Sequence, residues 1–226
     1  MLTYRPVTEA DLATLCTLPR TAEELFHCFP KARFPLTEDQ LRAAIEQRAD
    51  STVVELDGRV VGFASFYQWA EGGTCAIGNV MVAADARRRG VASYLIRALC
   101  ALAFDNYRAD KVKVSCFDTN TAGLLLYPRL GFVPYAIEEQ QDGNGERVAL
   151  IHLRLIRNQA LANQRGRLAL ECERMAGMRL WQRLLWAFRR FPAPPTPPEV
   201  REARRARRHR QALKKIASRA AGNDQG

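Results

Sequence analysis

The sequence predicts an α/β fold built on a mixed β-sheet. Three observations predict it. Short runs rich in β-branched and aromatic residues recur along residues 2–156, the dipeptide Asp57-Gly58 joins two of these runs, and a 3.6-residue apolar period covers residues 90–106. Read in chain order, the segments follow the succession βααββ and then β-α-β-α-ββ, which is the pattern of an α/β domain.

The first quarter of the chain predicts one strand and three helical segments. Residues 2–7 alternate as a strand does, and residues 8–15 predict a helix with Thr8 as its N-cap. Residues 21–50 predict helix in two pieces separated by a proline-containing break. Thr37 is the expected cap of the second piece.

The next segments predict three strands. Residues 51–56 and 59–69 are β-rich and flank Asp57-Gly58, which is a strong signal for a hairpin turn. Residues 75–82 (CAIGNVMV) predict a further strand. The hairpin therefore places the first two of these strands side by side and antiparallel.

The pattern changes at Val91, where the amphipathic helix 90–106 begins. Residues 111–117 (KVKVSCF) predict a buried strand, and residues 120–132 predict a helix closed by Gly131. The stretch that follows predicts two strands around the turn DGNG at 142–145. These elements complete a domain over residues 1–156.

Charge divides the chain unevenly. The net charge is +10, yet residues 157–226 hold 17 Lys and Arg against five Asp and Glu, whereas residues 1–156 hold 17 against 19. The basic character therefore belongs to a C-terminal extension. The sequence contains no apolar run long enough for a membrane span and no signal-peptide pattern, so we expect a cytoplasmic protein. Six cysteines without a CxxC pair predict reduced thiols, and we expect no metal site.

The extension divides into three predicted parts. Residues 157–191 predict an amphipathic basic helix, residues 192–198 a proline-rich linker, and residues 199–226 an arginine-rich tail that is helical or disordered. The amphipathic helix would pack on the domain, on a second copy in a homodimer, or on an anionic membrane. The tail is either a solvated charged helix or a sequence-independent contact for nucleic acid.

The stretch ADARRRGVASYL (84–95) predicts a phosphate site. It is a loop that ends at a helix N-terminus, where backbone N–H groups lack internal partners and attract an anion. Gly90 would let a phosphate approach the backbone, and Arg87, Arg88 and Arg89 add positive charge. The alternative is a solvated basic turn. Taken together, these residues favour a cradle for a diphosphate.

Two motifs carry a resemblance to a known family. RRRGVA (87–92), preceded by the strand IGNVMV, resembles the Arg/Gln-x-x-Gly-x-Gly/Ala signature of the GNAT acetyltransferase superfamily. NTAGLLLYPRLGF (120–132) resembles the second signature of that superfamily. The resemblance covers about residues 2–156 and is strongest over 77–135. It implies a GNAT-type sheet, mixed but mostly antiparallel, with helices on both faces.

The resemblance also implies a co-substrate, acetyl-CoA, bound in a gap between strands 75–82 and 111–117. Its pantetheine arm would pair with the backbone of the first of these strands, and its diphosphate would lie on the start of the following helix. Asn120 resembles a cofactor-contacting asparagine, although a helix N-cap would explain it as well. The implied cofactor-binding residues are Met81, Val82, Arg87, Arg88, Arg89, Gly90, Val91, Ala92, Ser93 and Asn120.

For catalysis, the resemblance implies that Tyr127 is the general acid that protonates the leaving thiolate. Packing in the core is the alternative role. Several relatives place a glutamate base on the fifth strand, five residues before the asparagine, but this chain has Ser115 there. A base reached through water remains open among Glu24, Glu55, Tyr67 and His152. Cys116 could suggest a covalent route, but we expect a core thiol.

The sequence thus predicts an acetyl-CoA-dependent N-acetyltransferase that acts on a primary amine of a small molecule or a protein by direct attack. Residues 24–37 are expected to build the acceptor wall, where Phe26, Phe29 and Phe34 line a pocket or pack beneath it. The alternative is a catalytically weak acyl-CoA-binding module whose basic tail binds nucleic acid or an anionic membrane.

Overall fold

A seven-stranded sheet organises residues 1–158, the part of the chain that this computed structural model describes. The strand order is β1-β2-β3-β4-β5-β7-β6. The strands are β1 Leu2–Pro6, β2 Ala49–Leu56, β3 Arg59–Gln68, β4 Thr74–Val82, β5 Lys111–Phe117, β6 Val133–Gln141 and β7 Arg147–Ile156. The helices are α1 Leu12–Cys16, α2 Ala22–Cys28, α3 Glu38–Glu46, α4 Val91–Asn106 and α5 Thr121–Arg129.

The sheet is mixed and mostly antiparallel, as predicted. Within the described residues only β4 and β5 run parallel, and they pair from Thr74–Lys111 to Ala76–Lys113. Beyond Ala76 neither strand pairs with the other, although β4 continues to Val82 and β5 to Phe117. A gap therefore opens in the sheet between these two strands.

The predicted hairpin is confirmed by the backbone of its turn. Asp57 and Gly58 have φ values of 52° and 82° and connect β2 to β3. A two-residue turn with positive φ at both positions matches the twist of the strands that it joins. The turn at 142–145 is also confirmed, since the amide of Gly145 donates to the carbonyl of Asp142.

Helices cover both faces of the sheet. Every residue of β3 from Val61 to Phe66 is buried, which requires cover on both sides because successive side chains alternate between faces. Gly62 faces α4, where a Cβ would lie 3.1 Å from Val91 Cγ1. Helices α1 and α3 contact β3 and β2 and bury Leu15 and Leu41 completely.

Two predicted helices differ from the structure. The helix predicted to reach residue 50 ends at Glu46, because Ala49 already pairs with Phe66 as the first residue of β2. The segment after Thr8 forms a 3₁₀ turn, Glu9–Asp11, followed by the short helix α1. The Asp11 carboxylate explains this start, because it accepts hydrogen bonds from the Thr8 amide at 2.7 Å and from the Thr8 hydroxyl at 2.9 Å.

The extension lies mostly outside the described residues. Predictions for the amphipathic helix, the linker and the arginine-rich tail concern residues 159–226, apart from the two residues at 157–158. In residues 1–158, no helix combines the length and the apolar character needed to cross a bilayer. The cysteines in that range are free thiols, three of them buried: Cys75, Cys100 and Cys116.

Candidate active site

A cavity of about 1950 Å³ occupies the gap between β4 and β5. Its walls come from α2, from β4 and the start of α4, and from β5 and α5. Because the sheet itself is open here, the cavity gives a ligand access to strand backbone that is buried elsewhere in the sheet. Such a cleft, placed where two parallel strands separate, suits an extended ligand.

The β4 wall offers unpaired main-chain groups. From Ile77 to Val82, β4 pairs with β3 on one side and with no other described strand on the side that faces β5. A bulge interrupts the β3 pairing, because Gly78 lies opposite Ser65 and Met81 lies opposite Phe63. Such bulges redirect strand groups next to functional sites.

Asn79 sits at this bulge and was missed by the sequence analysis. Its φ is 54°, its side chain is buried, and its Nδ2 has no hydrogen-bond partner among the described residues. The residue lines the cavity, so a ligand there could satisfy the amide. An asparagine inside a strand run, where it tolerates positive φ, was the available signal.

The loop before α4 has the geometry of an anion site. Arg88 and Gly90 have φ values of 61° and 83°, and Gly90 is the N-cap residue of α4 without a side-chain cap. The amide of Tyr94 donates to the carbonyl of Gly90, so the amides of the preceding residues 91–93 have no partner within the helix. These amides and the helix dipole favour negative charge at this point.

Gly90 is needed here for its conformation. A Cβ at this position would meet no atom within 4 Å, but the positive φ disfavours any other L-residue. Close approach of a phosphate was the predicted reason for this glycine. The positive φ of the backbone is a second reason for glycine at this position.

The three loop arginines occupy different surroundings. Arg87 donates from Nη1 to Glu24 Oε1 at 2.7 Å, which ties the loop to α2, and this hydrogen bond lowers the pKa of Glu24. Arg88 lines the cavity and forms no ion pair with any described residue. Arg89 is exposed and lies outside the cavity, where Asp57 is a neighbouring charge.

Nine of the ten predicted cofactor-binding residues line this one cavity, and Arg89 is the exception because the loop turns its side chain to solvent. The nine are Met81, Val82, Arg87, Arg88, Gly90, Val91, Ala92, Ser93 and Asn120. Their roles toward a ligand stay predictions.

Asn120 is the N-cap of α5. Its Oδ1 accepts a hydrogen bond from the amide of Gly123 at 3.0 Å. Gly123 lies so close to β5 that a Cβ would stand 2.6 Å from Cys116 Sγ. This close approach fixes the distance between α5 and the strand.

Tyr127 projects from α5 into the cavity wall. The residue is 6% exposed and packs edge-on against Phe132, with ring centroids 5.9 Å apart. Its hydroxyl has no hydrogen-bond partner among the described residues. Burial, with smaller contributions from Cys116 and Cys28, raises the pKa of Tyr127. The phenol is therefore protonated at neutral pH and carries a proton that it could donate.

The candidate bases are not equivalent. Glu24 is held by Arg87, and Glu55 accepts from Arg5 Nε at 2.7 Å outside the cavity. Tyr67 lines the cavity beneath Arg48, whose guanidinium carbon lies 5.8 Å from the Tyr67 ring centroid. His152 contacts the hydroxyl of Ser115, which lines the cavity.

Cys116 has the properties of a core thiol. It is 2% exposed, its Sγ lies 3.5 Å from the carbonyl oxygen of Phe117, and burial raises its pKa to about 11. A thiol in this state is a poor nucleophile, since the thiolate is the reactive form. The surroundings of Cys116 therefore disfavour an acyl-cysteine route.

Aromatic residues form the wall on the α2 side. Phe26 stacks on Phe117 with ring centroids 4.3 Å apart, and Phe29 is buried beside Arg48. Both phenylalanines line the cavity, whereas Phe34 is 47% exposed and does not. Burial lowers the pKa of Arg48, and its Nη1 has no hydrogen-bond partner in the described chain.

The acetyltransferase (GNAT) family matches this chain over residues 18–132, slightly more than half of its length. The chain belongs to the GNAT acetyltransferase family. The matched region contains β4, α4, β5 and α5, which together build the cavity. This GNAT protein is therefore an acyltransferase.

Solved structures share the fold of this GNAT enzyme. A ribosomal-protein-alanine N-acetyltransferase from Brucella melitensis is 23% identical, with a TM-score of 0.57, and the match covers 68% of this chain and 99% of that one. A spermidine N-acetyltransferase from Vibrio cholerae, solved with CoA and spermine, is 16% identical with a TM-score of 0.61, covering 71% and 98%.

A third relative, from Salmonella typhimurium, was solved with its cofactor acetyl-CoA. It is 21% identical with a TM-score of 0.56, and the match covers 69% of this chain and 94% of that one.

In the GNAT domain described here, no three His, Cys, Asp or Glu side chains of residues 1–158 are grouped so that they could hold a metal ion.

Proposed function

We propose that this GNAT enzyme transfers the acetyl group of acetyl-CoA to a primary amine of a small molecule or protein, by direct attack of the amine. One observation carries the proposal. A single cavity contains the edge of β4 that pairs with no other strand of residues 1–158, the amides at the start of α4 that lack a partner within the helix, and the protonated Tyr127.

The co-substrate fits the β4 side of this cavity. The Val82 backbone, one residue after Met81, faces away from β3 and can pair with an extended pantetheine arm as a neighbouring strand would. The amides of residues 91–93 and the guanidinium of Arg88, which forms no ion pair within residues 1–158, would bind the diphosphate. Asn120 caps α5 and reaches the same cavity, which is compatible with a contact to the co-substrate.

Chemistry would take place on the β5 side. Tyr127 would donate its proton to the thiolate as the carbon–sulfur bond breaks, and the raised pKa keeps that proton available. Since the Cys116 thiol is buried and protonated, the amine itself would attack the thioester carbon.

Calorimetry with acetyl-CoA and a free-thiol assay test this proposal. Three amines are to be assayed because the names of similar structures suggest them: spermidine, a peptide that begins with alanine, and phosphinothricin. We expect micromolar to millimolar KM values for acetyl-CoA, in the usual enzyme range, and CoA release that depends on one of these amines. Absence of acetyl-CoA binding would contradict the proposal.

The alternative is an acyl-CoA-binding module with a basic extension. The charge of residues 157–226 favours contact with nucleic acid or another anionic surface. Acetyl-CoA binding without CoA release, together with salt-sensitive retention of the full chain on DNA, would favour this second function. Amine-dependent turnover would contradict it.

A further inference from the structure

We propose that Ser115, His152 and Glu138 form a proton relay that acts as the general base toward the acceptor amine. This inference rests on the proposed acetyl transfer and assigns the base that the sequence left open. Ser115 is the residue that touches the amine, and His152 and Glu138 are positioning residues that act through it.

Three neighbouring strands bring the relay together. Ser115 on β5 lies directly opposite His152 on β7, and β6 pairs with the other edge of β7. Ser115 Oγ lies 2.9 Å from His152 Nδ1, and His152 Nε2 lies 3.2 Å from Glu138 Oε2. Both distances are within hydrogen-bond range, so the three side chains form one continuous chain of polar contacts.

The carboxylate fixes the direction of proton transfer. An ionised carboxylate only accepts hydrogen bonds, and hydrogen bonds from Gln140 and His152 lower the pKa of Glu138. His152 Nε2 must therefore carry the hydrogen in the neutral ring. Nδ1 is left as an acceptor for the Ser115 hydroxyl, whose lone pairs can then receive a proton.

The relay reaches the cavity through Ser115 alone. Along β5, Val114 and Cys116 are buried in the core, whereas Ser115 is half-buried and lines the cavity with Tyr127. The carboxylates in that lining are Glu23 and Glu24 of α2, and Glu24 is engaged by Arg87. Ser115 thus connects the cavity to His152 and Glu138, which lie outside its lining.

The surroundings of His152 contain charges of both signs. The Tyr135 ring of β6 lies 6.0 Å from the imidazole, between centroids. Lys113 of β5 and Arg154 of β7 lie over the same tyrosine at 5.1 and 5.4 Å from its centroid. Lys113 and Arg154 thus share Tyr135 with the imidazole, whereas Glu138 and the neutral Ser115 hydroxyl contact the imidazole itself.

The reaction balances with the groups present. The nitrogen of the neutral amine forms a bond to the thioester carbon. The surplus proton on nitrogen passes to Ser115 Oγ, and the hydroxyl proton of Ser115 moves at the same time to His152 Nδ1. The carbon–sulfur bond breaks, and Tyr127 gives its proton to the sulfur. His152 then releases a proton to solvent, and Tyr127 regains one from solvent.

Steady-state kinetics of the full chain test the relay, with acetyl-CoA and the fastest of spermidine, the alanine peptide and phosphinothricin. We expect Ser115→Ala and His152→Gln each to lower kcat about 10²-fold, and the double variant to lose no more than either single one. Glu138→Gln should lower kcat less and shift the pH profile. Glu139→Gln is the matched control, because Glu139 is the next residue on β6 and pairs with Arg147 instead.

Rescue separates a catalytic role from a structural one. Ser115→Glu places a carboxylate directly at the cavity. When it is added to the His152→Gln variant, we expect kcat to rise at least tenfold above that of His152→Gln alone. If the wild type turns over and Ser115→Ala has the same kcat, the relay is overturned but the proposed function is not. Failure of the wild type with all three amines would overturn the proposed function and the relay with it.

The tautomer gives a readout that does not depend on activity. Nitrogen NMR of the three histidines, assigned with His152→Gln, should show His152 protonated at Nε2 and a shifted Nδ1 signal in Ser115→Ala. Protonation at Nδ1 instead would overturn the proposal, because Ser115 would then be the acceptor and could pass no proton to the ring.

Discussion

The two walls of the cavity use different parts of the polypeptide. The β4 wall presents backbone. Its strand edge over 77–82 pairs with no other strand of the described chain, and the amides at the start of α4 lack partners within the helix. The β5 wall presents side chains, Ser115 and Tyr127, which come from a strand and from a helix. Under the proposed function, the β4 wall is the binding wall for acetyl-CoA and the β5 wall is the reacting wall. Substitutions should then divide into effects on acetyl-CoA affinity and effects on kcat.

The largest expected effect concerns the acid on the reacting wall. We expect Tyr127→Phe to lower kcat by about 10²–10³-fold because the variant lacks the hydroxyl that would protonate the leaving thiolate. Calorimetry should show an unchanged Kd for acetyl-CoA, since the ring and its packing on Phe132 remain. A loss of affinity as large as the loss of kcat would show that the two walls are not separable.

A second substitution disturbs the geometry of the reacting wall. Gly123→Ala places a Cβ 2.6 Å from Cys116 Sγ, so α5 must move away from β5. We expect a loss of about 1–3 kcal/mol in the free energy of unfolding, as overpacking causes, and a lower kcat. Gly143→Ala is the control, because a Cβ there meets no atom within 4 Å. Equal stability of the two variants would contradict the predicted clash.

On the binding wall, the arginines provide an internal comparison. Arg88→Glu should raise the Kd for acetyl-CoA about tenfold or more, because a charge-assisted contact to the diphosphate is replaced by repulsion. Arg89→Glu carries the same charge change outside the cavity and should stay within about twofold, since exposed charges are screened. Equal losses in calorimetry would indicate a diffuse charge effect.

The smallest expected effect concerns the ion pair that ties α2 to the loop. Because Arg87 lowers the pKa of Glu24, this pair stabilises the fold above the ordinary carboxyl pKa of 4.5. That contribution is lost as the pH falls through the lowered folded-state pKa. Denaturation of Glu24→Gln should show a deficit below about 1 kcal/mol at pH 7 that disappears in acid. A stability deficit of Glu24→Gln that grows as the pH falls would contradict the predicted direction of the pH dependence.

The sequence could predict the geometry of the loop before α4 because its parts are contiguous. Loop, glycine and helix start all lie within residues 84–95, so local rules for helix termini apply to them directly. The mixed sheet and the hairpin were predicted for the same reason, since period and turn signals are local. The end of α3 was wrong by four residues, because pairing of Ala49 with Phe66 decided where β2 begins.

The reacting wall was beyond local rules. Ser115 and His152 are 37 residues apart, and His152 and Glu138 are 14 apart, so sheet register alone brings them together. Arg87 shows the same limit, because its charge was evident but its partner Glu24 is 63 residues away. Composition shows which charges exist, whereas tertiary contacts decide which remain free to meet a ligand.

The three parallel pairs from Thr74–Lys111 to Ala76–Lys113 have a mechanical consequence. Within residues 1–158, these three pairs join strands β1–β4 to strands β5–β7 through the main chain. The sheet should therefore deform most easily at this junction, which we call the seam. An elongated ligand that forms hydrogen bonds along β4 would act as an additional strand and stiffen the seam. Amide exchange at Val82 should then slow on saturation with acetyl-CoA, while exchange in the β2–β3 hairpin stays constant.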